Sequence, residues 1–180
     1  MEAHAGGSIA DGAEGEVALP FLRQTLGTLA YRAEKVLRDV PEGFAELRVS
    51  PGTRTPLHIL THMCDLMEWG ARMARGTSRW QHVPAASWAE ARERFFRGLA
   101  DLDAALAEPA EGRALEPIFQ GPIADALTHV GQLALLRGMA GAPVRPENYA
   151  RARIRVGRVG PDQPAERSEF DGDASALRGR

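Results

Sequence analysis

Between Val17 and Val40 the apolar residues recur at threes and fours: Phe21, Leu22, Leu26, Leu29, Ala33, Val36, Leu37 and Val40 fall on one stripe. That period predicts an amphipathic helix, which Pro41 and Gly43 should end. After a loop over 41–54, Thr55 followed by Pro56 reads as an N-cap and first helical position, opening a second helix that runs to Gly76. Ser87 is the next N-cap. Behind it Trp88, Ala91, Phe95, Leu99, Leu102 and Leu106 come at near-heptad spacing, predicting a third helix that Pro109 closes. A fourth helix is expected to open at Pro122 and to end near Gly141 and Pro143.

Four helices of roughly 18–25 residues with no alternating strand pattern between them predict an all-α fold, a four-helix bundle over residues 16–143. Residues 1–15, rich in Gly, Ala and acids without periodicity, are expected to be a disordered lead. Residues 144–180 should form an irregular, extended tail, mobile or draped over the bundle at its end.

The 180 residues, 44% of them hydrophobic, suffice for one domain with a real core. The 22 basic and 24 acidic residues nearly cancel, and neither sign forms a long block before residue 140, which argues against a nucleic-acid partner. Cys64 stands alone, so no intrachain disulfide can form. The first 17 residues lack a basic and apolar leader pattern, and no apolar run reaches the length of a membrane span. A cytoplasmic protein without membrane contact is the expectation.

The fourth helix is apolar almost all round, yet Asp125, His129 and Gln132 fall within about 60° of arc, beside Leu133 and Leu136. They should therefore point inward or into a cleft. A buried carboxylate without a partner costs several kcal/mol, and a metal ion is one partner that removes the penalty. Helix two offers a complement, with His58, His62, Asp65 and Trp69 on one arc. Neutral imidazoles bind first-row divalent ions, and three protein ligands with open positions make a catalytic or transferring centre. The expected ligand set is His62, Asp125 and His129, with His58 as an additional ligand or a rim residue. Gln132 is the expected catalytic group, orienting a bound water or substrate.

Each residue also has an ordinary structural role to fill. A core histidine commonly bonds a backbone carbonyl, and Asp125 in the first turn of its helix suits the macrodipole. Asp65 is either an acceptor behind a ligand imidazole or a solvated acid, and Gln132 also fits as helix-edge packing. Glu34 either reaches the cleft or pairs at the surface. Trp69, Trp80, Trp88, Phe95 and Phe96 are expected to pack in core and loops. Cys64 is expected in the core, and His4 and His82 in tail and loop. The sequence carries no P-loop, dinucleotide fingerprint, HEXXH pair, nucleophile elbow or paired E-x-x-H signature.

The segments "LTHMCDL" and "DALTHVGQ" resemble the DinB/YfiT-like superfamily, over roughly residues 20–143 by motif position. In that family a histidine in the middle of helix two joins two ligands four apart on the last helix, usually within H-x-x-x-H-x-G-Q. Here His62, His129, Gly131 and Gln132 match, while Asp125 stands where the first histidine is usual. The resemblance implies an up-down-down-up bundle, often homodimeric, holding a divalent ion such as zinc, nickel or manganese. It further implies the chemistry of thiol-dependent transferases and isomerases that use low-molecular-weight thiols, and the expectation for this chain is a metal-dependent transferase or hydrolase acting on a small-molecule substrate, the ion activating a thiol or water. With Asp125 in the set, the site either survives with harder character or has lost its metal. In the latter case the chain is a non-catalytic bundle that binds a small ligand or dimerises.

Overall fold

The computed structural model describes residues 10–166. Its long helices are α1 (Ala10–Leu37), α2 (Pro56–Ala74), α3 (Trp88–Ala107) and α5 (Ala124–Met139), with a short α4 (Glu116–Ile118) and 3-10 turns at Phe44–Glu46 and Tyr149–Arg151. No strand occurs among the described residues, so the all-α expectation holds.

Helix α1 spans Ala10–Leu37, so its first residues fall within the lead expected over residues 1–15. Residues 1–9 of the expected lead lie outside the described residues. At the other end α1 stops at Leu37 rather than Val40, because Asp39 takes a φ of 47°, a left-handed conformation that no right-handed helix continues. The carbonyls freed there are taken up by Arg137 of α5, whose guanidinium donates to Val36 O at 3.1 Å, Arg38 O at 2.6 Å and Asp39 O at 3.3 Å. A cation against a helix C-terminus also complements its dipole.

The caps of α2 and α3 form as the sequence predicts. Thr55 Oγ1 accepts the His58 N–H at 3.2 Å ahead of Pro56, and Ser87 Oγ accepts the Glu90 N–H at 3.2 Å. Helix α2 closes on Gly76, at φ 84°, with Thr77 N–H donating to Arg72 O at 2.9 Å and Gly76 N–H to Met73 O at 3.0 Å, the paired bonds of a Schellman ending. The fourth helix differs from expectation. It does not open at Pro122: the chain is helical from Glu116 and passes through a π turn at Phe119–Ile123 into α5. Proline lacks an N–H and its ring crowds the carbonyl four residues back, and a widened turn relieves both problems.

Packing contacts give the relative directions. Helices α2 and α3 run parallel: Cys64 Sγ donates to Ala91 O at 3.1 Å, and further along Gly70 lies so close to Leu102 that a Cβ would come within 3.1 Å of its side chain. The loop 75–87 must therefore travel back along α2. Helix α1 runs against α3, with Trp88 Nε1 donating to Leu37 O at 3.1 Å at one end and Arg23 paired to Asp103 at 2.9 Å at the other. Helix α5 runs against α2, Gly70 meeting Pro122 near one end and His62 meeting Asp125 further along. Leu26, Leu29, Leu60, Met63, Met67, Phe95, Leu99, Leu102 and Leu133 fill the space between them, fully buried.

The described part of the tail is irregular and lies on α1. Buried Glu147 accepts from Tyr31 Oη at 3.1 Å and Lys35 Nζ at 3.0 Å, and Arg32 stacks 3.9 Å above the Tyr149 ring. Gly27 admits this strand of chain: a Cβ there would sit 2.7 Å from Arg155 O. Residues 167–180 of the expected tail lie outside the described residues. Among the described residues, no helix is long and apolar enough to cross a membrane.

Candidate metal centre

Helix α2 carries His62 and helix α5 carries Asp125 and His129, and the antiparallel packing of the two brings them together. His62 Nε2 lies 3.1 Å from Asp125 Oδ2, and His129 Nε2 lies 3.3 Å from Asp125 Oδ1. One ligand atom from each residue falls within 4.8 Å of the others. Four donors around a metal at about 2.0–2.1 Å stand roughly 3.4 Å apart, so both measured pairs have nearly the spacing of a ligand shell. His129 is buried, whereas the Asp125 side chain is 42% exposed, which leaves an open side to the group.

Gln132, one turn beyond His129, faces its other ring nitrogen with Oε1 2.7 Å from Nδ1. With the amide so oriented, Nδ1 carries the proton and donates it, and Nε2 of a neutral ring keeps its lone pair. That lone pair then faces a carboxylate oxygen. Two acceptors in opposition are unfavourable unless a proton or a metal ion stands between them. The donor set fits a divalent ion of borderline hardness.

The π turn bears on why Asp125 is there at all. Since the chain is already helical from Glu116, Asp125 does not sit at a free helix N-terminus, and the macrodipole does not account for it.

The remaining site residues of the sequence reading fall as follows. His58 is exposed and is not one of the clustered ligands, because it lies one turn back along α2. Asp65 is neither solvated nor behind a ligand imidazole. It is fully buried and accepts from Arg94 Nη2 at 2.7 Å and Val83 N–H at 3.2 Å, with His82 Nδ1 at 2.7 Å. Arg94 also bonds Glu68 Oε1 at 2.7 Å and Val83 O at 2.5 Å, so this cluster ties the loop 75–87 to α2 and α3. Glu34 is buried, facing Arg38 at 3.4 Å and Arg92 at 3.6 Å, and burial pushes its carboxyl above the ordinary range. Cys64 is core, as expected, and burial pushes its thiol up to about 12. His4 lies outside the described residues.

What the sequence reading missed is an aromatic wall. Trp80, on the returning loop, has its ring 5.6 Å from His62 and 5.6 Å from Trp69, and it is 44% exposed. Trp69 Nε1 donates to Ser78 Oγ at 3.2 Å, and Gly121 of the π turn leaves room for its ring, since a Cβ there would come within 3.0 Å. The seven-residue spacing of His62 and Trp69 along one face of α2 was the available signal; the place of Trp80 depended on the loop doubling back. Compared with family models, curated proteins and solved structures, the chain matches none.

Proposed function

We propose that this protein binds a divalent metal ion through His62, Asp125 and His129 and uses it on a small-molecule substrate, as a transferase with a low-molecular-weight thiol or as a hydrolase. The observation that carries the reading is the convergence of three ligand atoms within 4.8 Å, from two helices, with one side open. The antiparallel and parallel contacts described above support an up-down-down-up four-helix bundle of the DinB-like kind, whose middle would hold the site. An ion held there is a Lewis acid that lowers the pKa of a water or thiol toward neutrality.

The chain's own groups have distinct tasks. Gln132 keeps the proton on Nδ1 of His129 and so presents the Nε2 lone pair to the site. Asp125 supplies one negative charge, leaving a net single positive charge with two neutral imidazoles. Trp80 borders His62 on the loop side, its ring 5.6 Å away.

Elemental analysis of untagged protein, before and after dialysis against a chelator, tests this. One divalent ion per chain, lost from both His62→Ala and His129→Ala, is the expected result. Absence of metal under every loading condition overturns it and favours a second reading, a non-catalytic ligand-binding bundle. For that reading speaks the 3.1 Å contact of His62 with Asp125, which is a complete hydrogen bond in its own right.

A further inference from the structure

Trp80 is out of place as a packing residue. A large apolar ring that is 44% exposed leaves nearly half of its surface uncovered beside the site, yet the loop bearing it is held by a fully buried carboxylate, a buried guanidinium and a backbone N–H. Sequestering such an ion pair is demanding, and exposed apolar surface beside a polar centre is a common mark of ligand contact. The neighbours fix the wall further. Trp69 meets Trp80 edge-on at 82°, is tethered through Ser78, and is backed by Gly121 with no space for a side chain. Among the described residues, no lysine or arginine pairs with His62, Asp125 or His129. With a divalent ion bound, the centre would offer a single net positive charge beside an aromatic face.

From this we infer that Trp80 is a specificity-determining residue of the site, selecting substrates that place an aromatic or bulky apolar group beside a single ionisable donor such as a thiol. The inference rests on the metal reading and deepens it. The donor atom of the substrate takes the open side next to Asp125, and its apolar group lies along Trp80, where stacking adds to area burial.

The test uses the full chain loaded with Co2+, whose thiolate complexes absorb in the near ultraviolet, titrated with benzyl mercaptan and with 2-mercaptoethanol. Wild type, Trp80→Ala and Trp80→Phe are compared. All three should take up Co2+ equally. The preference for benzyl mercaptan over 2-mercaptoethanol should fall roughly three- to tenfold in Trp80→Ala and largely persist in Trp80→Phe, with 2-mercaptoethanol affinity unmoved. Equal Co2+ uptake with an unchanged preference in Trp80→Ala overturns this inference and leaves the metal reading intact. Failure of wild type to bind Co2+ overturns the metal reading and this inference with it.

Discussion

Asp65 and Asp125 are two aspartates with histidine partners, and the sequence places each on a mostly apolar helix, yet the structure treats them oppositely. Asp65 is fully buried and is answered by a guanidinium, a backbone N–H and His82. Asp125 is half open and, among the described residues, is answered by two imidazoles alone, which are uncharged unless protonated. A fixed positive charge makes the first cluster a fastening. Its absence leaves the second free to take a cation from solution. The lesson is that the partner, and not the acid, tells a structural carboxylate from one available for chemistry.

The largest effect should come from breaking the fastening. Arg94→Met strands Asp65 without its guanidinium, and unfolding in urea should show a loss of about 3–5 kcal/mol.

Next in size is removal of the ion. With free metal a hundredfold above its Kd, bound metal stabilises by about 2.7 kcal/mol, so dialysis against a chelator should lower the melting temperature of wild type. Asp125→Asn should be indifferent to the same treatment. An equal response in both proteins would mean that the ion is held elsewhere.

In metal-free protein Asp125→Asn should change stability by less than about 1 kcal/mol, because a half-exposed pair with imidazole contributes little in water. A larger loss would place Asp125 with Asp65 among the structural acids and erase the contrast.

The smallest effect concerns Glu34, a buried acid whose cations stand further off than those of Asp65. Burial raises its folded pKa above the unfolded value, so the native state binds the proton more tightly. Its contribution is therefore favourable below the unfolded pKa and is lost as pH rises through the folded one. Glu34→Gln should be slightly more stable than wild type at pH 7, and the difference should close as the pH is lowered into the glutamate range. Parallel stability curves for the two proteins would sink this assignment.

Much of the fold was legible because it is local. Thr55 and Pro56, Ser87, and the period of Leu22, Leu26, Leu29, Val36 and Leu37 act within a turn or two, and the structure repeats them with the expected caps. The misreadings came where a local signal has two uses. Pro122 marks a helix start in most settings, but here it sits inside a π turn that α2 packs against. Asp65 reads along the sequence as a solvated acid or an acceptor behind a ligand imidazole because its guanidinium partner stands 29 positions away on α3.

The sequence by itself determined the helices, most of their ends, and the stripe on which Asp125, His129 and Gln132 lie, since 3.6-residue periodicity and capping need no distant partner. The tertiary structure alone decided that His62 meets that stripe while His58 does not, that Asp65 is locked to Arg94, and that Trp80 returns to the site on a loop running back along α2. Those outcomes depend on the parallel packing of α2 and α3 and on the register between α2 and α5. Both are set by long-range burial, as where Gly70 meets Leu102 and Pro122, and a pattern read along one helix does not contain them.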